Sequence, residues 1–201
     1  MNINKKIDQI LSSLSFGTTL YQISVIALKV MAALLVLGYL FVLIGFLLEI
    51  GSVNNPGDAL GMLLGLALFT VAFYLAFRVV IYRSVGISAL SRQEYPVVPL
   101  AAALLRLIGE LQALAIGALG VVAGVSIWFG GDISMPFEAG MNFISLLYWN
   151  FFMPLQFPPF LAGIALLLIS MLNALVVLIV FYLLSELLTL LRDIALNSKR
   201  Y

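Results

Sequence analysis

The side chains of this sequence that could carry chemistry are mostly charged residues at the edges of long apolar runs. Glu110 follows Arg106 by four positions, the spacing at which two side chains on one helix face can pair. Glu186 could also reach Arg106 or Arg78. The interpretation we favour is interface anchoring with ion pairing, and the alternative is a gate or a substrate-binding acid. Together these and neighbouring charges form a predicted charge cluster on the cytoplasmic side, which comprises Lys29, Arg78, Arg106, Glu110, Glu186, Arg192 and Asp193.

Several residue types that enzymes rely on are missing. The 201 residues include no histidine and no cysteine, which excludes thiol catalysis, disulfides, and zinc or haem sites built from those ligands. A catalytic site needs several converging groups, and only the acids Glu110, Glu186 and Asp193 remain to supply them. We therefore predict that the protein is not an enzyme and that it has no metal or cofactor site.

The composition is that of a protein embedded in lipid. Apolar residues make up 64% of the chain and charged residues 9%, with a mean hydropathy of +1.18, whereas about a quarter of a soluble domain is charged. A soluble fold needs more polar cover than this chain has, so its main partner is expected to be the lipid bilayer. The net charge of +1 disfavours nucleic acid as a partner.

Four runs reach the roughly 20 apolar residues that a membrane-spanning helix needs. Asn55 and Pro56 before the second run have the residue types of a helix start, and prolines also precede the third and fourth runs. The prediction is an all-α, polytopic four-transmembrane-helix bundle that forms one membrane domain, residues 1–201. Its predicted spans are residues 23–50, 59–82, 100–129 and 160–184, followed by a cytoplasmic helical extension over residues 185–201.

The basic residues predict the orientation. With four spans, every lysine and arginine lies on the side that holds both termini or in the span halves next to it, while the loops of the other side hold only the acids Glu49, Asp58, Asp132 and Glu138. Loops rich in lysine and arginine stay in the cytoplasm, so both termini are predicted to be cytoplasmic. The basic residues are Lys5, Lys6, Lys29, Arg78, Arg83, Arg92, Arg106, Arg192, Lys199 and Arg200.

Two segments outside the spans carry predictions of their own. Within residues 1–20, Ile3 to Leu14 has the apolar spacing of an amphipathic helix on the membrane surface, and a frayed terminus is the alternative. Residues 130–159 are rich in aromatic side chains, which favour the bilayer interface. We predict an outer interfacial helix there, with a re-entrant hairpin or a partner-binding surface as alternatives.

The two halves of the chain have similar segments. Residues 28–34 align with 105–111, and residues 73–75 align with 181–183. A duplicated helical hairpin would produce such a parallel repeat, and a chance match between apolar helices is the alternative.

Small residues at four-residue spacing predict close helix contacts, since small side chains let membrane helices approach each other. Packing within the bundle is the default interpretation, and oligomerisation is the alternative. Asn173 is the clearest polar residue near mid-membrane, and an asparagine there more often bonds a neighbouring helix than a substrate. The helix-packing candidates are Gly57, Gly61, Gly65, Gly117, Gly120, Gly124 and Asn173.

The last part of the chain contains a recognisable pattern. Glu186 is followed by Ile194 eight positions later and by Asn197 eleven positions later. This run resembles the end of a bacterial family of small helical-hairpin membrane proteins whose function is unknown. The resemblance covers residues 186–197, and it implies a multi-pass protein of the bacterial inner membrane without implying an activity.

Two functions fit these features. The first is a structural or accessory subunit, or a scaffold, in a membrane assembly, with further copies of the chain or other membrane subunits as partners. The alternative is a small transporter or channel, either alone or as a homo-oligomer, which needs a polar route through the membrane. The residues that could supply such a route are Thr70, Gln112, Ser126, Ser170 and Asn173.

Overall fold

Four long helices make up the fold. The computed structural model describes residues 18–50, 56–90, 97–129 and 158–198. Its helices are α1 (Thr18–Ile50), α2 (Pro56–Ser88), α3 (Val97–Trp128) and α4 (Pro159–Ser198). Each is long and apolar enough to cross a membrane, and the described residues include no strand. The prediction of an all-α chain with four helices able to span a membrane is therefore confirmed.

The helices extend past the predicted spans. α2 continues beyond residue 82 to Ser88, which places Arg83 inside a helix instead of in the following loop. α3 begins at Val97 and includes Pro99 in its first turn, where a missing N–H removes no helical hydrogen bond. The difference arises because hydropathy marks where a helix leaves the lipid, whereas its backbone hydrogen bonds continue until a turn residue or proline ends it.

Predictions for two segments lie outside the described residues. These are the N-terminal amphipathic segment, apart from its last residues in α1, and the outer aromatic segment before Pro158. Both stay predictions.

The helical segments divide into two compact units, and each helix contributes to both. The basic unit comprises Met1–Leu34, Phe77–Glu110 and Leu178–Tyr201, and the apolar unit comprises Leu35–Ala76 and Leu111–Val177. Every lysine and arginine in the described part of the chain falls within the basic unit, which is why we give it that name.

α3 is the most buried helix and α1 the least. In α3, 28% of the apolar stretch is buried, against 6% in α1. In the apolar unit, α3 and α4 form a small core, while α1 contacts α2 through Tyr39. The Tyr39 hydroxyl lies 2.9 Å from Thr70 Oγ1, and its ring packs against Phe73 at 5.4 Å between centroids. The core residues are Ala123, Ile127, Ala162 and Leu166.

Candidate functional site

Three helices meet at one ion pair in the basic unit. Arg83 of α2 donates from Nε to Glu110 Oε2 of α3 over 2.9 Å, and its Nη2 donates to Oε1 of the same carboxylate. Tyr182 of α4 donates its hydroxyl proton to Glu110 Oε1 over 2.6 Å. The same hydroxyl oxygen accepts a hydrogen bond of 3.0 Å from Arg83 Nη2. We call these three residues the Glu110 cluster.

The Glu110 cluster fixes its members in one arrangement. A guanidinium that engages both oxygens of a carboxylate is held in plane and in direction. The Arg83 and Glu110 side chains are each 18% exposed, so most of their charge is removed from solvent. Removing one member would leave the other charge partly buried without a partner, which is much costlier than breaking an exposed pair.

A second polar contact links α3 to α4 beside the first. Arg106 Nε donates to Ser185 Oγ over 2.8 Å, and Ser185 is fully buried. The guanidinium carbon of Arg106 lies 5.6 Å from the centre of the Tyr182 ring, within range of a cation–π interaction. Tyr182 therefore contacts both arginines, one with its hydroxyl and the other with its ring.

Arg106 and Glu110, whose spacing permits a pair within α3, form no hydrogen bond or salt bridge with each other among the described residues. Glu110 bonds Arg83 and Tyr182 on the two neighbouring helices instead. Glu186 does not reach Arg106, one of its two candidate partners, because α4 presents Ser185 to Arg106 while Glu186 is exposed. Adjacent helix positions differ by about 100°, so only one of these two residues can face α3.

The other charged residues of the predicted cluster lie near the surface. Arg192 pairs with its neighbour Asp193 at 3.1 Å, and the Asp193 side chain is 57% exposed. Lys29 and Arg78 are exposed on α1 and α2. The seven predicted charges thus do not converge on a single site.

Arg83 and Tyr182 were not among the predicted site residues. A signal existed for Arg83, because an acid within an apolar helix needs a basic partner and Arg83 follows the second predicted span directly. Choosing between Arg78, Arg83 and Arg106 requires the rotation of each helix about its axis, which apolar runs do not specify.

Predicted glycines lie where helices approach closely in the apolar unit. A Cβ built on Gly61 of α2 would lie 2.9 Å from Phe129 Cβ, and one on Gly65 would lie 3.6 Å from Val122. Gly57 lies in the first turn of α2 and is half-buried. Gly61 and Gly65 therefore face the C-terminal end of α3 and the residue that follows it.

The glycines of α3 face α4. A Cβ on Gly120 would overlap the Ser170 side chain, and one on Gly124 would lie 3.0 Å from the carbonyl oxygen of Gly163. Gly117 is less tight, at 3.9 Å from Ala174 Cβ. Asn173 lies on α4, is half-buried and has no hydrogen-bond partner among the described residues.

Two tight glycines were not predicted. A Cβ on Gly163 would overlap the Trp128 indole, whose Nε1 donates to the Phe160 carbonyl over 3.2 Å. In the basic unit, a Cβ on Gly109 would lie 2.5 Å from Phe181 Cβ. Each of these glycines is the point at which an aromatic residue of the neighbouring helix packs.

The chemistry of these contacts is that of helix association. The Glu110 cluster holds opposite charges together across helices, and the glycine contacts bring backbones close, both of which stabilise membrane helices against one another. Among the described residues, no group of three or more acids could hold a metal ion. No protein-family model, curated protein or solved structure matches this chain.

Proposed function

We propose that this protein is a structural or accessory subunit of a membrane assembly in the bacterial inner membrane, with four crossings and both termini in the cytoplasm. The bacterial setting rests on the resemblance of residues 186–197. The subunit role rests on polar groups that α4 leaves available for another helix.

The charge distribution supports the proposed orientation. All the described lysines and arginines belong to the basic unit, in the first half of α1 and α3 and the last half of α2 and α4. In a chain that crosses four times, those ends share one side of the membrane. Positive charge is retained on the cytoplasmic side, so these ends are assigned to the cytoplasm.

The unpartnered side chain of Asn173 is the main support for the proposed subunit role. Its carboxamide has two donors and an acceptor, and none of them is used among the described residues. Its neighbours Leu172 and Val176 are 64% and 54% exposed, so this stretch of α4 presents an apolar surface with one amide in it. In lipid, an amide without a partner is costly, and a helix from a second subunit would satisfy it.

We expect Asn173→Leu to weaken the assembly by roughly fivefold in dissociation constant, since an interhelical hydrogen bond contributes about 1 kcal/mol in membranes. Native mass spectrometry after gentle detergent extraction would measure this. Wild-type protein should appear in complexes heavier than the 21.9 kDa chain, and Asn173→Leu should shift the distribution towards the free chain.

Asn173→Gln is the matched control, because it keeps the amide and should keep the complexes. A wild-type protein recovered only as a free chain would contradict the subunit role. Solute flux through liposomes that contain the pure protein would instead support a transporter or channel.

A further inference from the structure

We propose that Arg106 is a binding site for a phosphate group, with the two terminal nitrogens of its guanidinium as the donors. The proposal is independent of the subunit role. It rests on the hydrogen bonds of Arg106, on the balance of charge around it, and on how its side chain is held.

Arg106 has unused donors. A guanidinium has five N–H donors, and Arg106 uses only Nε, towards Ser185. Nη1 and Nη2 have no hydrogen-bond partner among the described residues. These two nitrogens form the edge with which arginine binds phosphate in a bidentate manner.

The nearby acid is already neutralised. Both oxygens of Glu110 accept from Arg83, and Oε1 also accepts from Tyr182. The set of Arg83, Arg106 and Glu110 therefore carries one surplus positive charge. Glu186, the next residue after Ser185, is exposed and forms no ion pair with Arg106. In a helical segment of this apolarity, that surplus positive charge favours an external anion.

The Arg106 side chain is restrained by two contacts before any ligand binds. The Ser185 hydroxyl fixes Nε, and the Tyr182 ring lies against the guanidinium at 5.6 Å. Arg106 is half-buried, so part of it stays accessible. A side chain already restrained in this way loses less conformational entropy when it binds.

The phosphate could belong to an anionic lipid headgroup or to a soluble phosphate monoester, since both present at least two non-bridging oxygens to a guanidinium. Anionic headgroups collect at basic pockets between membrane helices on the cytoplasmic side. Two titrations of the detergent-solubilised protein separate the sources, one with phosphatidylglycerol and one with glycerol 3-phosphate. Binding is followed by native mass spectrometry and by the shift in thermal unfolding.

We expect Arg106→Gln to weaken binding at least tenfold, because a hydrogen bond to a charged group contributes a factor of ten or more. Arg192→Gln is the matched control, because Arg192 already pairs with Asp193, and it should bind as the wild type does. Ser185→Ala keeps the charge of Arg106 but removes the hydroxyl that fixes its Nε, so it should weaken binding to a smaller extent. This variant tests the proposal if Arg106→Gln does not fold.

Phosphatidylglycerol binding that Arg106→Gln loses would identify a lipid site. Glycerol 3-phosphate binding that Arg106→Gln loses would identify a site for a soluble phosphate. Wild-type protein that binds neither probe, or Arg106→Gln and Ser185→Ala proteins that bind as the wild type does, would overturn the proposal.

Discussion

Replacing Glu110 with glutamine is expected to lower the free energy of unfolding by about 2 kcal/mol. The substitution keeps the shape of the side chain but removes the negative charge that faces Arg83 in the Glu110 cluster. Breaking a fully buried pair costs about 3–5 kcal/mol, whereas an exposed pair contributes less than about 1 kcal/mol. The 18% exposure of both side chains places this pair between those limits. Reversible unfolding in mixed micelles, followed by circular dichroism, measures the change.

Asp193→Asn is the matched control for Glu110→Gln. It removes one acid from the exposed Arg192–Asp193 pair and should change stability by less than about 0.5 kcal/mol. The double variant Arg83→Gln with Glu110→Gln should lose less stability than the two single variants added together, because neither charge is then left alone. Equal effects of Glu110→Gln and Asp193→Asn would contradict the interhelical role of Glu110.

Replacing Gly163 with alanine is expected to destabilise the protein by about 2 kcal/mol, within the range for overpacking. The new Cβ would overlap the Trp128 indole and lie 2.9 Å from the carbonyl oxygen of Gly124. That oxygen belongs to the backbone of α3, so relief requires α3 and α4 to move apart. The same unfolding measurement applies, with tryptophan fluorescence in a Trp149→Phe background as a local probe of the contact at Trp128.

Gly45→Ala in α1 is the matched control, because a Cβ there meets nothing within 4 Å. Alanine stabilises a helix by up to about 1 kcal/mol relative to glycine, so this variant should be neutral or slightly more stable.

Gly120→Ala adds a rescue experiment, because a second substitution, Ser170→Gly, removes the side chain that the new Cβ would overlap. If Gly163→Ala and Gly45→Ala behaved alike, close packing of α3 on α4 would be contradicted.

The helices were predictable from the sequence because each apolar run exceeds the length that a bilayer requires. Their ends were less predictable. Arg83 marks the end of the apolar run, yet α2 continues through Val85 and Ile87 to Ser88. A charged residue changes the hydropathy of a segment without breaking its backbone hydrogen bonds. The predicted span therefore ended at residue 82 and left Arg83 in the following loop.

The partners within the Glu110 cluster could not be predicted from spacing. The separation of Arg106 and Glu110 permits a pair within α3, but Arg83 and Tyr182 reach the carboxylate from other helices. A guanidinium that engages both carboxylate oxygens is preferred over a pair along one helix surface, which contributes only about 0.3–0.5 kcal/mol. The outcome depends on helix rotations set by packing.

The close contacts of the glycines were also only partly predictable from their spacing. Gly120 and Gly124 have four-residue spacing and contact α4, whereas Gly163 has no such neighbour and is packed as tightly. Gly38 and Gly45 of α1 have open space around them. Spacing identifies surfaces that could pack closely, and only the arrangement of the helices determines which of them do.

The central claim, that the chain crosses the membrane four times with its basic unit towards the cytoplasm, can be tested by cysteine labelling. The natural chain has no cysteine, so single cysteines at Ser91 and Gly131 can be labelled without background. A membrane-impermeant maleimide should label Gly131→Cys in intact cells, and Ser91→Cys only after the membrane is permeabilised. Labelling of both positions from the same side would contradict the four-crossing topology.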